Sequence, residues 1–169
     1  MSTSAKLYSY DFSSLKTYLV ASLFVVGNVV APQLAHLVPQ GGFIFLPIYF
    51  FTLIAAYKYG LKVGLLTALL SPLINHLLFG MPPVAVLPAI LVKSSILAVA
   101  ASLLAKRANA VTILNLVFAV LSYQLVGTLI EWAMVGDFMV AVQDFRIGIP
   151  GMLLQVFGGY ALLKAIEKI

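Results

Sequence analysis

Cysteine is absent from the chain, which excludes disulfides and thiolate metal sites and leaves the redox compartment unread. Charge is scarce as well: Asp, Glu, Lys and Arg make up 9% of the residues, against roughly 25% in a soluble domain. With 63% hydrophobic residues, such a chain cannot cover an aqueous surface, so its solvent is mostly lipid. No polar stretch is long enough to fold as an extramembrane domain. That leaves no room for a nucleotide-binding domain, so the chain is expected not to hydrolyse ATP itself. The glycine-rich stretch GIPGMLLQVFGG at 148–159 lacks the lysine of a phosphate loop and follows no strand. The two histidines, His36 and His76, have no ligand spacing with each other, so no metal site and no cofactor are expected. The opening MSTSAKLYSYDFSSLK lacks the pattern of a cleavable signal, and the first apolar run is expected to remain as a span.

What the chain does have is apolar runs of membrane-crossing length, about 20 residues each. Six segments qualify: Leu15–Leu37, Phe43–Tyr57, Leu61–Phe79, Val84–Ala105, Val111–Val135 and Ile147–Ile166. The expected fold is therefore all-α, a single domain over 1–169 forming an integral membrane bundle of six transmembrane helices. The connections are PQGG, KYGLK, GMPP, KRANA and the longer GDFMVAVQDFR.

The net charge of +5 is explained by where the charges lie, with no need for nucleic acid. Lys6, Lys16, Lys58, Lys62, Lys106, Arg107, Lys164 and Lys168 fall on one side of the alternating spans, while Arg146, Asp137 and Asp144 fall on the other. By the positive-inside rule, both termini and the second and fourth loops are cytoplasmic.

With direction fixed, the polar residues inside the spans gather in the outer leaflet. Asn28, Gln33 and His36 lie in the outer half of the first helix, Asn75 and His76 near the outer end of the third. Lys93 lies about nine residues into the fourth, Glu131 is near the outer end of the fifth, and Gln155 is in the outer half of the sixth. Only Asn115 lies deep in the inner half, with Gln124 near the middle. Asn28, Gln33 and Gln124 have an ordinary role open to them as interhelical hydrogen bonds. Lys93 and Glu131 stand apart, because a charged side chain in a span costs roughly 2.5–3.5 kcal/mol and faces a cavity or a partner. Two readings stay open: an ion pair holding the fourth and fifth helices together, or a site whose lysine meets an anionic ligand group and whose carboxylate meets a donor. Pro32, Pro72, Pro88 and Pro150 lie in or at the outer-half ends of spans, and Pro47 in a helix that starts outside. A carbonyl freed by such a proline must find protein or cavity water. The set fits either a bundle that splays around a pocket in that leaflet or ordinary turn ends. The candidate pocket is walled by Asn75, His76, Lys93, Glu131, Gln155 and Gln33. PQGG or the 136–147 connection would be its lid, and Tyr49, Trp132 and Phe138 are aromatics available for stacking.

Small residues mark helix faces that allow close approach. Ser94, Ser95, Ala98, Ala101, Ser102 and Ala105 form one stripe, Ala21, Ser22 and Gly27 a second, and Gly60, Gly64 and Ala68 a third. Internal packing is one use for such stripes; docking of another membrane subunit, through Ala21, Ser22, Ala98 and Ser102, is the other.

The segments AAYKYGLKVGLLTALLSPLINHLLFGMP at 55–82, LPAILVKSSILAVAASLLAKR at 87–107 and GIPGMLLQ at 148–155, in that order, carry a resemblance. The chain resembles the substrate-binding membrane subunit (S component) of energy-coupling factor (ECF) transporters, the vitamin-uptake branch of ABC importers. The resemblance implies a bacterial cytoplasmic-membrane protein of six helices that captures a vitamin or related micronutrient in its outer half. It also implies an energising module of one transmembrane coupling protein and two cytoplasmic ATPases, with toppling of the S component carrying ligand inward. The family's Ala-x-x-x-Ala docking motif on helix 1 is matched literally by Ala31 and Ala35, at the outer end; the cytoplasmic half offers Ala21 with Val25. A self-sufficient small transporter or channel is the alternative, and an intramembrane enzyme using His76 and Glu131 a third class.

Overall fold

The computed structural model describes residues 7–167 and is helical throughout, with no strand among them. Lys6 and Lys168, assigned above to the cytoplasmic side, lie outside the described residues. The long helices are α1 (Leu15–Ala35), α3 (Pro47–Tyr59), α4 (Leu61–Phe79), α5 (Leu87–Ala108) and α6 (Ile113–Val135), with a five-residue helix α2 (Gly41–Phe45) leading into α3. After α6 come two short helices, α7 (Phe138–Ala141) and α8 (Gln143–Ile147). The final helix runs from α9 (Ile149–Leu153) through a π-helical turn (Leu154–Gly158) into α10 (Gly159–Ala165).

Five helices, counting α2 and α3 as one path over Gly41–Tyr59, are long and apolar enough to cross a membrane; Ile149–Ala165 is apolar but shorter. The second span differs from expectation in being broken. Leu46 adopts a left-handed conformation (φ 46°) between Phe45 and Pro47, and the residue before a proline resists the right-handed helix. The connection over 136–147 is helical too. Asp137 caps α7, its Oδ1 accepting from Met139 N at 2.8 Å and Val140 N at 3.2 Å, which satisfies first-turn donors.

The centre of the bundle is α3. Leu53, Ile54, Ala55 and Ala56 are fully buried, as expected for a helix that is apolar on every face. It packs against α1, α4, α5 and α10. Its close seat on α4 depends on Gly64, where a Cβ would fall 2.5 Å from Ala56 Cβ and 2.7 Å from Ala56 Cα. The small stripe on α5 packs internally: Ala98, Ala101, Ser102 and Ala105 are buried, as is Ala21 on α1, whereas Ser22 is exposed. Of the residues named for docking, Ala21, Ala98 and Ser102 are therefore covered by the chain's own helices. The outer surface carries large apolar side chains, including Leu19, Leu23, Val26, Leu103, Leu125 and Leu129. So many exposed apolar groups suit a lipid-facing surface.

The two ends of the bundle differ in chemistry. At one end Tyr8 N donates to Lys58 O at 2.8 Å, Lys58 Nζ to Glu167 O at 3.1 Å, and Tyr57 Oη to Ala110 O at 2.7 Å. These bonds tie the N-terminal segment, the α3–α4 turn, the C-terminal helix and the α5–α6 connection together. Lys62 lies 2.5 Å from Asp11 Oδ2 and holds that carboxyl below its ordinary range. Lys16, Lys106, Arg107 and Lys164 also belong to this end, by their places at helix starts and stops. The polar cavity lies at the other.

Candidate functional site

Pro32 shows how the sequence builds the far end. It sits inside α1 and has no N–H to donate to the carbonyl four residues earlier, which belongs to Asn28. Asn75 on α4 fills the gap: its Nδ2 donates to Asn28 O at 2.9 Å and to Ser71 O at 3.0 Å. In lipid an orphan carbonyl costs several kcal/mol, so Asn75 stands in for the missing backbone donor. The Asn28 side chain is satisfied as well, donating to Thr52 Oγ1 at 3.0 Å and Ser71 Oγ at 3.2 Å and accepting from Phe51 N at 3.2 Å. By contrast, Pro47, Pro88 and Pro150 occupy first turns, where no intrahelical donor is lost. Only Pro32 and Pro72 lie inside helices, so the prolines splay the bundle less than their number suggests.

Above this network lies a cavity of about 510 Å³, within the range of small-molecule sites, roughly 300–1,000 Å³. It is walled by the C-terminal parts of α1, α4 and α6 and the N-terminal part of α5, by the α2–α3 junction, and by the strap formed by α7 and α8. Both connections expected as lids contribute, through Gln40 and Gly42 on one side and Val140, Gln143 and Asp144 on the other.

The charged groups meet here. Lys93 Nζ lies 2.5 Å from Glu131 Oε2 and 2.7 Å from Asp144 Oδ2. The Asp144 contact is an aligned hydrogen bond. The Glu131 contact is a close ion pair, with no donor beside Oε2 other than the lysine ammonium. The side chains are 3%, 11% and 15% exposed for Lys93, Glu131 and Asp144 respectively, so all are largely withdrawn from solvent. Gly127 makes the arrangement possible, since a Cβ there would stand 2.5 Å from Lys93 Cγ. The lysine stem thus lies against the glycine, and Glu131, one helical turn on, receives its ammonium.

The expected site residues divide into three groups. Gln33, Asn75, Lys93 and Glu131 line the cavity together, and Gln33 Nε2 approaches Asn75 Oδ1 at 3.5 Å. Gln155 is fully buried behind the wall instead: it accepts from Tyr123 Oη at 3.0 Å and directs Nε2 to Leu46 O at 3.5 Å. It thereby supports the left-handed junction whose Leu46 does line the cavity. The π-helical turn holding Gln155 is a rare feature that recurs near functional sites. His76 turns away: its Nδ1 lies 2.8 Å from Pro82 O, and since a carbonyl only accepts, Nδ1 is the donor. One residue after Asn75, it points about 100° round the helix, toward the 80–86 turn.

Asp144 was not singled out as a wall residue by the sequence, and neither were His36 or Gln40; all three line the cavity. The signal for Asp144 lay in the charge count, since a lysine set deep in a span invites an acid from the nearest connection. Of the aromatics, Tyr49 lines the cavity and packs on Tyr123 with ring centroids 4.7 Å apart. Trp132 and Phe138 instead contact each other edge to face at 5.3 Å, both on exposed positions. On α5 and α6, Ser94, Gln124 and Thr128 are buried with side-chain polar atoms that have no hydrogen-bond partner. Among the described residues no group of three or more His, Asp or Glu is placed to hold a metal ion.

No protein-family model, curated protein or solved structure matches the chain.

Proposed function

We propose that the chain is the substrate-capture membrane subunit of an ECF-type importer. It would sit in a bacterial cytoplasmic membrane with six spans and both termini inside, and take up a vitamin or related micronutrient from outside. The observation that carries this reading is the cavity at the end opposite the basic cluster, walled by Lys93, Glu131, Gln33 and Asn75 and covered by two short connections. The charge asymmetry supports the direction. The shorter helix Ile149–Ala165 would be the sixth span, its 17 residues just within the usual range for a transmembrane helix, about 17–25. Energy would come from a coupling protein and two ATPases, because no segment of this chain offers a nucleotide site.

A second reading has one observation in its favour. The unpartnered polar atoms of Ser94, Gln124 and Thr128, buried on α5 and α6, are polar groups inside the bundle such as a self-sufficient small transporter would need for a path through it. Liposomes separate the two. Reconstituted alone and supplied with a panel of vitamins, a capture subunit retains ligand in proportion to protein and moves none into the lumen. Luminal accumulation without any ATPase would replace the capture reading with the second one.

A further inference from the structure

The charges around the cavity do not cancel. Its charged wall residues are Lys93, Glu131 and Asp144, one cation against two anions, so the ionised wall carries a formal charge of minus one. Arg146, two residues beyond Asp144, is exposed and does not line the cavity. His36 is at the exposed rim. Lys93 is already engaged by both carboxylates, at 2.5 and 2.7 Å. One ammonium thus faces two carboxylates, and one negative charge is left over.

From these observations we infer that the cavity takes a small organic cation, an ammonium or protonated heterocycle on an apolar body. Such a ligand completes a two-against-two charge array in a poorly solvated place, where an uncompensated charge is costly. An anion entering the same cavity adds to an existing negative charge. The remaining wall suits the rest of such a ligand. Phe43, Ile48, Val86, Ala89 and Ile90 provide apolar contact, and Tyr49 adds an aromatic side chain of the kind that organic cations favour. A bare metal ion does not fit, since the described residues hold no group of three or more His, Asp or Glu able to ligate one. This replaces the expectation of an anionic group at Lys93, which counted one carboxylate where there are two. The inference rests on the capture reading and names the ligand class for that site.

Three probes of similar size and different charge test it: benzyltrimethylammonium, benzyl alcohol and phenylacetate, titrated into the full chain in nanodiscs. The wild type is expected to bind the cation about tenfold or more tighter than the anion. Asp144→Asn brings the wall to neutrality and should collapse that ratio. Glu131→Gln added to Asp144→Asn makes the wall positive and should turn the preference toward phenylacetate. Asp144 lies on the strap outside the long helices, so its single variant decides the matter even where the double variant fails to fold. Phenylacetate binding as tightly as the cation to the wild type, or a ratio unmoved by Asp144→Asn, overturns the cation inference and leaves the cavity as a capture site. Saturable binding of none of the three overturns both.

Discussion

Lys93 Nζ and Asp144 Oδ2 lie 2.7 Å apart across 51 residues of sequence, so a charge set inside α5 holds down the strap that covers the cavity. Asp144→Asn should release the strap while leaving Lys93 paired with Glu131. Because Asp144 keeps some solvent contact and one carboxylate remains, the global stability loss should be small, about 1 kcal/mol. Hydrogen exchange over 138–147 should nonetheless quicken relative to α3. Unchanged exchange there would mean that the pair does not anchor the strap.

Removing the lysine is a different matter. Lys93→Met leaves two largely buried carboxylates facing each other, and losing one partner of a buried pair costs about 3–5 kcal/mol. Adding Glu131→Gln should restore part of that loss, because only one carboxylate then lacks its counter-ion. A Lys93→Met protein that melts like the wild type would show that the ammonium is not engaged as described.

The Asn75–Asn28 bond makes a sharper prediction, since its cause is a proline. Asn75→Ala should cost about 1–3 kcal/mol through the unsatisfied Asn28 carbonyl. Pro32→Ala in the same background returns a backbone N–H to that carbonyl, and thermal unfolding should recover by at least half. Failure of Pro32→Ala to rescue would mean that Asn75 stabilises the bundle chiefly through Ser71 or Gln33.

Much of this was legible in the sequence because lipid imposes a strict code. Apolar runs had to become helices, and their ends came out within three residues at α1, α4, α5 and α6. Lys93 and Glu131 were conspicuous because charge in a span demands an answer. The break at Leu46 was harder: Phe43–Tyr57 is continuous in hydropathy, and only the pre-proline position hints at the left-handed residue. Asp144 was hidden by its place in a polar connection, where acids are ordinary. His76 and Gln155 misled for a shared reason. Depth in the membrane can be counted from the sequence, but the azimuth of a residue about its helix depends on packing. Asn75 faces α1, whereas its neighbour faces the turn, and Gln155 supports the wall from behind.

The orientation can be tested directly because the chain has no cysteine of its own. Val84→Cys and Lys106→Cys each place a single thiol at opposite ends of the bundle, both on exposed positions. In intact cells a membrane-impermeant maleimide should label the first and spare the second until the membrane is opened. The reverse pattern would invert the topology and put the cavity on the cytoplasmic side.

Capture of a small molecule in the cavity is the central claim, and mass spectrometry of what the gently purified protein releases on denaturation tests it most directly. The account predicts one compound near equal stoichiometry, vitamin-like in size and carrying a positive charge, and its loss from Glu131→Gln protein. Release of nothing but lipid, even after incubation with a vitamin panel, would contradict it.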